Sequence, residues 1–347
     1  MNQQYRSIYN KSLGAWVAVS ELVRKCSKSG KVAVAISGLV LTAPLAVMAA
    51  ASVVDSGDNL YTNPVTSPDW DAGSSTTIGL NGVGSLAVTD GGTVTGAYMY
   101  IGQQNGSNGA VTVDGAGSHL QAGDISVGYN TGATGSLTVS NGATVDVARL
   151  FLSGLANGGN GSLTVTGVGS IMNVSDYGST FFGGSNGGVG TVLIANGGQF
   201  NNEKTFIGYD GGSGSITVTG AGSTWTDLGD TRIGYSESAN TSTGSVTIEN
   251  GATASVNLAY VGVGNGTGSL LVTGLGSKFT SGDTTFVGYG RPGAPGTTSG
   301  TMTIANGGVV EAPSVTLGRK GANVTQPTSG TLTSAPPQAV LLPPPAR

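Results

Sequence analysis

The stretch from Gly214 to Tyr235, GSITVTGAGSTWTDLGDTRIGY, contains the pattern that decides the fold. It opens with a head, Gly214 to Val218 (GSITV), in which a glycine and a small residue precede alternating apolar and polar residues. The same head recurs every 24 to 32 residues and starts at Gly84, Gly109, Gly135, Gly161, Gly190, Gly214, Gly244, Gly268 and Gly300, with a decayed copy at Gly330. A period of this length is typical of stacked repeats.

Two kinds of turn follow the heads, and they alternate along the chain. Every second head, beginning at Gly109, is followed by GAGS, GVGS, GAGS or GLGS, with a bulky residue two positions after the serine: Leu120, Met172, Trp225 and Phe279. The other heads are followed by DGGT, NGAT, NGGQ, NGAT and NGGV. The larger repeating unit is therefore two heads long.

Each copy ends in a tail, an apolar residue that stands 17 to 21 residues after the head glycine. Glycine follows eight of these nine residues, the exception being Ser153. The apolar column reads Ile101, Val127, Leu152, Phe182, Ile207, Ile233, Val261, Val287 and Leu317.

This pattern predicts short strands that stack on one another. Alternation places Ile216 and Val218 on one face of a strand, and the NG, DG and GG pairs supply the positive φ angles of tight turns. Like-on-like stacking would put Leu137, Leu163, Val192, Ile216, Val246 and Leu270 in one buried ladder. We therefore expect an all-β chain, a right-handed parallel β-helix of about nine coils that is on the order of 40 Å long.

Composition and charge narrow the classes of function. Glycine accounts for 62 of 347 residues and charged residues for 9%, but the regular apolar ladder argues against a disordered linker. Residues 1–51 carry a net charge of +5 and the remainder −9, which together give −4. Because phosphate binding requires clustered Lys and Arg, the acidic body predicts no nucleic-acid partner. The single cysteine, Cys26, lies in the first segment, so the body is expected to be stable without a disulfide.

The N-terminal segment has the organisation of a secretory signal. A basic region precedes the apolar stretch 32–51, VAVAISGLVLTAPLAVMAAA, which ends in small residues. We expect a helical signal peptide over residues 1–51 that is cleaved after Ala49, Ala50 or Ala51. The alternative is a membrane-anchored helix, which Gly38, Pro44 and the turn-rich body disfavour.

The first 22 residues, which include YRSIY at Tyr5–Tyr9 and NKSLGAWVAVSEL at Asn10–Leu22, closely resemble the extended signal peptide region of autotransporters. The body from Gly84 to Gly321 is similar to the Gly-rich repeats of autotransporter passengers, in which GSLTVTGAGS heads and IG tails are typical. The resemblance implies export by the Sec machinery, with a surface or secreted location if a translocator is supplied and a periplasmic one otherwise. Passengers include adhesins and proteases, so the resemblance leaves the activity open.

The repeat divides the chain into four parts. Residues 1–51 are the signal, 52–80 an N-terminal cap, 81–321 the β-helix and 322–347 a Pro-rich tail or linker. Trp70 is expected in the core of the cap, which would cover the edge of the first coil. The long intercoil segments 236–243 and 291–299 are expected to protrude as loops. The family continues into a translocator barrel, which we do not expect within this chain, since no alternating amphipathic strands with aromatic girdles follow.

Candidate catalytic residues are few. The only histidine, His119, stands at a variable position next to a GAGS turn, where other copies have Ile171, Thr224 and Lys278, so we interpret it as a turn residue and not as a catalytic base. Ser56, in Asp55-Ser56-Gly57, lacks the glycine before the acid that the protease members of the family require.

Metal and glycosidase sites are also not expected. Calcium-binding rolls need GGxGxD, but Ser162 and Ser215 stand where the aspartate should be. A polysaccharide-degrading site needs grouped carboxylates, and these are scattered among turn positions, as at Asp114, Asp146, Asp176, Asp227 and Asp283. The sequence therefore predicts no enzyme activity, no cofactor, no metal and no catalytic residue.

One aromatic set has a possible role in binding. Tyr129, Tyr209, Tyr235 and Tyr289 follow the tail glycine and should align on one side of the stack. Two interpretations stay open, simple side-chain stacking and a stripe that contacts carbohydrate. We expect a surface structural or adhesive element with a host-cell or glycan ligand; the alternatives are a polysaccharide-degrading enzyme and a truncated remnant without activity.

Overall fold

A computed structural model describes residues 5–10, 15–20, 50–153, 158–175, 179–294, 296–320, 328–334 and 339–341. The chain forms two units, Met1–Val47 and Met48–Arg347. In the first unit, β1 (Tyr5–Asn10) pairs antiparallel with β2 (Ala15–Ser20), so that Ile8 lies opposite Val17. The expected helix is absent from these two segments, because aromatic and β-branched residues such as Tyr9, Trp16 and Val19 favour strands. The predicted apolar core of the signal, up to residue 49, and Cys26 lie outside the described residues.

The second unit is a β-solenoid of about nine turns, and its described part has no helix. Its strands begin with β3 (Ser52–Gly57), β4 (Asn59–Tyr61), β5 (Asp69–Asp71), β6 (Thr76–Ile78), β7 (Val83–Thr89), β8 (Thr93–Ile101), β9 (Asn108–Asp114), β10 (His119–Val127), β11 (Thr134–Ser140), β12 (Thr144–Leu152), β13 (Asn160–Thr166), β14 (Ile171–Val174) and β15 (Thr180–Phe182). They continue with β16 (Val189–Ala195), β17 (Gln199–Asn202), β18 (Thr205–Tyr209), β19 (Ser213–Thr219), β20 (Thr224–Ser236), β21 (Ser242–Glu249), β22 (Thr253–Gly264), β23 (Gly266–Thr273), β24 (Lys278–Ser281), β25 (Thr285–Gly290), β26 (Thr298–Ala305), β27 (Val309–Glu311), β28 (Val315–Lys320), β29 (Thr328–Ser334) and β30 (Ala339–Leu341).

The heads form one parallel sheet whose register is the predicted one. Each head glycine pairs with the next, from Gly84 with Gly109 to Gly300 with Gly330. The predicted ladder from Leu137 to Leu270 is therefore confirmed, and each of its six side chains is at most 3% exposed. The stacking follows from the pattern, because a slip of one residue would turn every apolar side chain to solvent.

After its head, each coil continues through a second sheet, first as a middle segment and then as the tail segment. In some coils the two segments form a single long strand, as in β20 or β22. In others they are two short strands, as in β24 and β25. The predicted tail column is confirmed, since its nine residues from Ile101 to Leu317 are successive partners in this sheet. In the middle segment, bulky and smaller side chains share a column, with Trp225 between Phe200 and Ala254.

The head glycine is required by close approach of the backbone. A Cβ atom on Gly214 would lie 2.3 Å from both the Gly208 nitrogen and the Phe182 oxygen. The tail glycine next to it, Gly208, has a φ of +71°. Both glycines recur because the tail of each coil passes directly over the start of the head strand.

Serine explains why the two turn types alternate. In each GxGS turn a buried serine hydroxyl accepts a hydrogen bond from the backbone N–H of a glycine in the NG or DG turn one coil earlier. The pairs are Ser118 with Gly91, Ser170 with Gly142, Ser223 with Gly197 and Ser277 with Gly251, each at 3.0 Å. Each GxGS turn thus joins its own coil to the preceding one.

The N-terminal strands cover the first coil. Strand β3 pairs antiparallel with β7, whereas β5 and β6 pair parallel with β8. Trp70 on β5 is 2% exposed, and its indole N–H donates to the Asn63 carbonyl at 3.2 Å. At the other end, β29 and β30 continue both sheets within 322–347, where a tail or linker was predicted. This corrects the prediction at these positions, where the heads' alternation persists in Gly330 to Ser334.

Candidate ligand-binding surface

The outer face of the tail segments carries many aromatic rings. In strand β18, Ile207 points into the core, so its neighbour Phe206 faces outward. Gly208, with a φ of +71°, breaks the alternation, and the Tyr209 ring packs against that of Phe206 with centroids 5.5 Å apart. The residue before each tail position forms one column, in which Tyr100, Phe151, Phe181, Phe206, Tyr260 and Phe286 are interrupted by Ser126 and Arg232. We call this column, together with the predicted tyrosines Tyr129, Tyr209, Tyr235 and Tyr289, the aromatic stripe.

The rings of the stripe stack along the solenoid. Phe151 and Phe181 are parallel with centroids 5.8 Å apart, and Phe181 and Phe206 follow at 4.9 Å. Tyr209 and Tyr235 stack at 5.7 Å. Such spacing is that of favourable aromatic pairs. Part of the stripe thus forms a small cluster outside the main core, in which Phe206 and Tyr235 are only 5% and 6% exposed.

The predicted tyrosine ladder holds only in part. Tyr209 and Tyr235 are direct partners, but Val263 stands between Tyr235 and Tyr289. Tyr129 lies apart from these and packs edge-on against Tyr100 at 5.1 Å. The column of rings one residue before each tail position was not predicted from the sequence. Its interruption by Ser126 and Arg232 hides the pattern, and in a sequence an outward-facing aromatic residue cannot be told from a core residue.

Where Ser126 interrupts the rings, the surface has a notch. This notch, of about 200 Å³, is lined by Tyr98, Met99, Tyr100, Asp124, Ser126, Tyr129 and Phe151. Tyr98 is 49% exposed, and Asp124 accepts two hydrogen bonds from Arg149, at 2.9 and 2.5 Å. Burial, and then the neighbouring Tyr129 and Asp124, raise the pKa of the Tyr100 phenol, so it stays a neutral hydrogen-bond donor.

Three arginines, which we call the arginine patch, lie among the rings near the C-terminal end of the stripe. The guanidinium carbon of Arg232 lies 5.0 Å from the ring centre of Tyr235 and 5.8 Å from that of Tyr260. Arg291 donates to the Tyr235 hydroxyl at 2.7 Å, and Arg319 lies 5.5 Å from the centre of Tyr289. These are cation–π distances. Burial raises the pKa of the Tyr235 and Tyr260 phenols although the arginines lower it, so both phenols are neutral at pH 7.

His119 and Ser56 lie apart in the fold. His119 is the first residue of β10, and its Nε2 lies 2.8 Å from Asp146 Oδ2, which makes it a strand residue and not the predicted turn residue. The Ser56 hydroxyl bonds to that of Ser85 at 2.8 Å.

The candidate carboxylates are dispersed. Asp114 accepts from Ser140 and Asn141, Asp283 accepts from the Thr284 N–H, and Asp176 lies outside the described residues. Over the ranges that the structure describes, no three His, Cys, Asp or Glu side chains are grouped to hold a metal ion. The absence of enzyme activity and of a cofactor remains a prediction.

Asp227 differs from the other carboxylates because it is buried in the corner of its coil. It accepts hydrogen bonds from the Thr231 hydroxyl at 2.6 Å and from the Gly229 N–H at 3.1 Å. Nearby, Trp225 donates to Asn202 at 2.9 Å. Burial raises the pKa of the Asp227 carboxyl, while the hydrogen bonds lower it to a smaller extent. Its partners are all structural, so we interpret it as a corner residue.

The segments expected to protrude are tied to the coils by Asn265. Its side-chain amide donates to the Ala239 carbonyl at 2.9 Å and accepts from the Thr297 N–H at 3.2 Å. Ser236, at the base of the first segment, is buried and donates to the Asn240 carbonyl. These segments therefore have ordered, hydrogen-bonded bases.

The fold and the leader define a class, an exported β-solenoid. Residues 1–50 match the family described as the extended signal peptide of the type V secretion system, which implies export across the inner membrane. Together with the β-solenoid, this leader supports the interpretation as an autotransporter passenger. Within the described residues, no helix has the length and apolar character needed to cross a membrane.

Comparisons of the body are less informative. No curated protein matches the chain. Among solved structures, the chain is similar to the crystal structure of a TibC-catalyzed, hyper-glycosylated TibA fragment, with 15% identity and a TM-score of 0.20. That match covers 78% of this chain and 98% of the other.

Proposed function

We propose that this chain is an autotransporter passenger that is displayed at the cell surface or released, and that it acts as a non-enzymatic adhesive element. The observation that carries the proposal is the aromatic stripe with its notch at Ser126. The rings lie outside the main core, and Tyr98 at the notch is 49% exposed. Exposed aromatic side chains are typical of binding surfaces.

The proposed ligand of the stripe is a saccharide. The apolar faces of sugar rings pack on aromatic side chains, and the Asp124 carboxylate and the Tyr98 and Tyr129 hydroxyls can bond to sugar hydroxyls. The notch, of about 200 Å³, has room for one sugar ring. Repeated weak contacts along the stripe would sum through multivalency.

The test uses the protein exported with its own leader and purified. Binding to an array of neutral and acidic glycans is compared between the wild type and the variants Tyr98→Ala and Tyr129→Ala. Leu275→Ala serves as a control, since Leu275 is an exposed apolar residue in a turn. We expect both tyrosine variants to lose binding and the control to keep it.

Two results would contradict the proposal. Binding by the tyrosine variants at wild-type strength would exclude the notch as the site. Release of reducing ends from a bound polysaccharide would show an enzyme instead of an adhesin. The surface location is tested separately, by adding protease to intact cells that also carry a type V translocator; a protected passenger would contradict display.

A further inference from the structure

Basic residues are unusually placed in this acidic body. Residues 50–320 contain seven lysines and arginines: Arg149, Lys204, Arg232, Lys278, Arg291, Arg319 and Lys320. Four of the seven, Lys204 and the three arginines of the arginine patch, lie over rings of the aromatic stripe. The rare positive charges are thus concentrated on the surface that also offers aromatic faces.

Two residues of the arginine patch, Arg232 and Arg291, line a small cavity. This cavity, of about 120 Å³, is lined by Arg232, Tyr260, Val263, Tyr289 and Arg291. Tyr260 packs edge-on against Tyr289 at 5.3 Å, so ring faces and guanidinium groups line one recess. Its size suits a single charged group and not a whole sugar ring.

Acidic side chains pair with two of the three arginines, and a further acid, Asp210, lies near Tyr235. Arg232 pairs with Asp230 at 3.3 Å, and Arg291 forms an ion pair with Glu237. Within the residues that the structure describes, the Arg319 guanidinium forms no ion pair and lies over the rings of Phe286 and Tyr289. The Lys204 ammonium, which in the same residues also forms no ion pair, lies over the ring of Phe206. An anionic ligand would supply the missing counter-charge.

We propose that the arginine patch binds the carboxylate or sulfate group of an acidic saccharide whose sugar rings lie along the stripe. Guanidinium groups present paired N–H donors that match the oxygens of such groups, and their stacking on rings holds the donors in place before the ligand arrives. This inference rests on the proposed saccharide binding and adds the chemical class of the saccharide.

The test measures binding of the exported protein to dextran sulfate, which is sulfated, to polygalacturonate, which is carboxylated, and to neutral dextran. We expect binding to one or both acidic polymers, weakening as salt concentration rises, and weaker binding to dextran. Because Arg319 is exposed, Arg319→Gln should fold normally, and we expect it to weaken acidic binding about 10-fold. Arg232→Gln should act in the same direction.

Lys278→Gln is the matched control, since Lys278 lies on strand β24, outside the aromatic stripe, and pairs with Glu311 at 2.7 Å. Arg319→Lys separates charge from geometry, because it keeps the charge and loses the paired donors. Circular dichroism and thermal unfolding check that each variant is folded. Loss of acidic binding in Arg319→Gln but not in Lys278→Gln would support the proposal.

Other outcomes overturn it. Unchanged acidic binding in both Arg232→Gln and Arg319→Gln, with neutral binding still dependent on Tyr98 and Tyr129, would reject the arginine patch and keep the proposed function. No binding to any saccharide would reject both. Equal binding to single-stranded DNA through the same arginines would show a general polyanion surface and reject saccharide recognition.

Discussion

The hydroxyl of Ser223 accepts a hydrogen bond of 3.0 Å from the backbone N–H of Gly197, one coil earlier, and donates one of 2.7 Å to the Thr219 carbonyl of its own coil. Ser223 is fully buried. One side chain therefore fixes the turn to which it belongs and holds the preceding turn against it.

Ser223→Ala should destabilise the solenoid, because the Gly197 N–H would be buried without a partner. We expect the free energy of unfolding to fall by about 1–3 kcal/mol. Urea unfolding followed by circular dichroism measures the change. Ser215→Ala, on the outer face of the head strand, is the control and should change it by less than about 0.5 kcal/mol. Equal effects of the two substitutions would show that the bridge is not stabilising.

Gly214→Ala should also be destabilising, although its methyl group is small. The added Cβ would meet backbone atoms at 2.3 Å, and backbone cannot move as a flexible side chain can. We expect a loss of about 1–3 kcal/mol in thermal or urea unfolding. Gly96→Ala is the matched control, since the nearest atom to its Cβ is the Ala72 methyl at 3.4 Å. If Gly214→Ala left the free energy of unfolding unchanged, the backbone of the tail would not pass as close to Gly214 as described.

Trp225 fills the column between Phe200 and Ala254. Trp225→Ala should cost about 3–5 kcal/mol in urea unfolding, since the side chain is fully buried. Trp225→Phe keeps much of the volume but removes the hydrogen bond to Asn202, so we expect a smaller loss of about 1–3 kcal/mol. If the two variants were equally stable, the column would not be packed as described.

Asp227 should make stability depend on pH. Its pKa is raised in the folded protein, so its favourable contribution is complete below the ordinary carboxyl pKa and is lost as pH rises through the folded value. The contribution of the Asp227 carboxyl to the free energy of unfolding should therefore be larger at pH 4 than at pH 7. A tenfold difference in the proton affinity of the carboxyl between the folded and unfolded chains corresponds to about 1.4 kcal/mol.

Asp227→Asn tests this directly, because the amide is similar in shape and cannot ionise. We expect the difference in unfolding free energy between pH 4 and pH 7 to shrink in this variant. Asp283→Asn is the control, since Asp283 is an exposed carboxylate that accepts a bond from the next residue's N–H. An unchanged pH dependence in Asp227→Asn would show that another group is responsible.

The fold could be predicted because each stacked column of equivalent residues has its own requirement, either for glycine or for an apolar side chain. A glycine at Gly214 and apolar residues at Ile216 and Ile207 recur at every coil, so stacking fixed their partners without knowledge of the coil's shape. The bend between the middle and tail segments could not be predicted, because it depends on buried polar groups such as Asp227, which resemble turn residues in the sequence.

The candidate site was less predictable. The tyrosine column was visible because a glycine precedes each member, but its continuity was not, since Val263 replaces one ring. The ring column from Tyr100 to Phe286 could have been found by reading the residue before each tail position. The positions of Arg291 and Tyr235 could not, because 56 residues separate them and a loop of variable length intervenes.

The serine bridge makes this architecture modular in pairs. A duplication of two neighbouring coils would place each GxGS serine over an NG turn again, and would lengthen the molecule by about 10 Å. Deletion of one coil would instead leave two like turns in contact, so that either a GxGS hydroxyl lacks its glycine N–H or a glycine N–H lacks its hydroxyl. Relatives that lengthen by internal duplication should therefore gain an even number of coils.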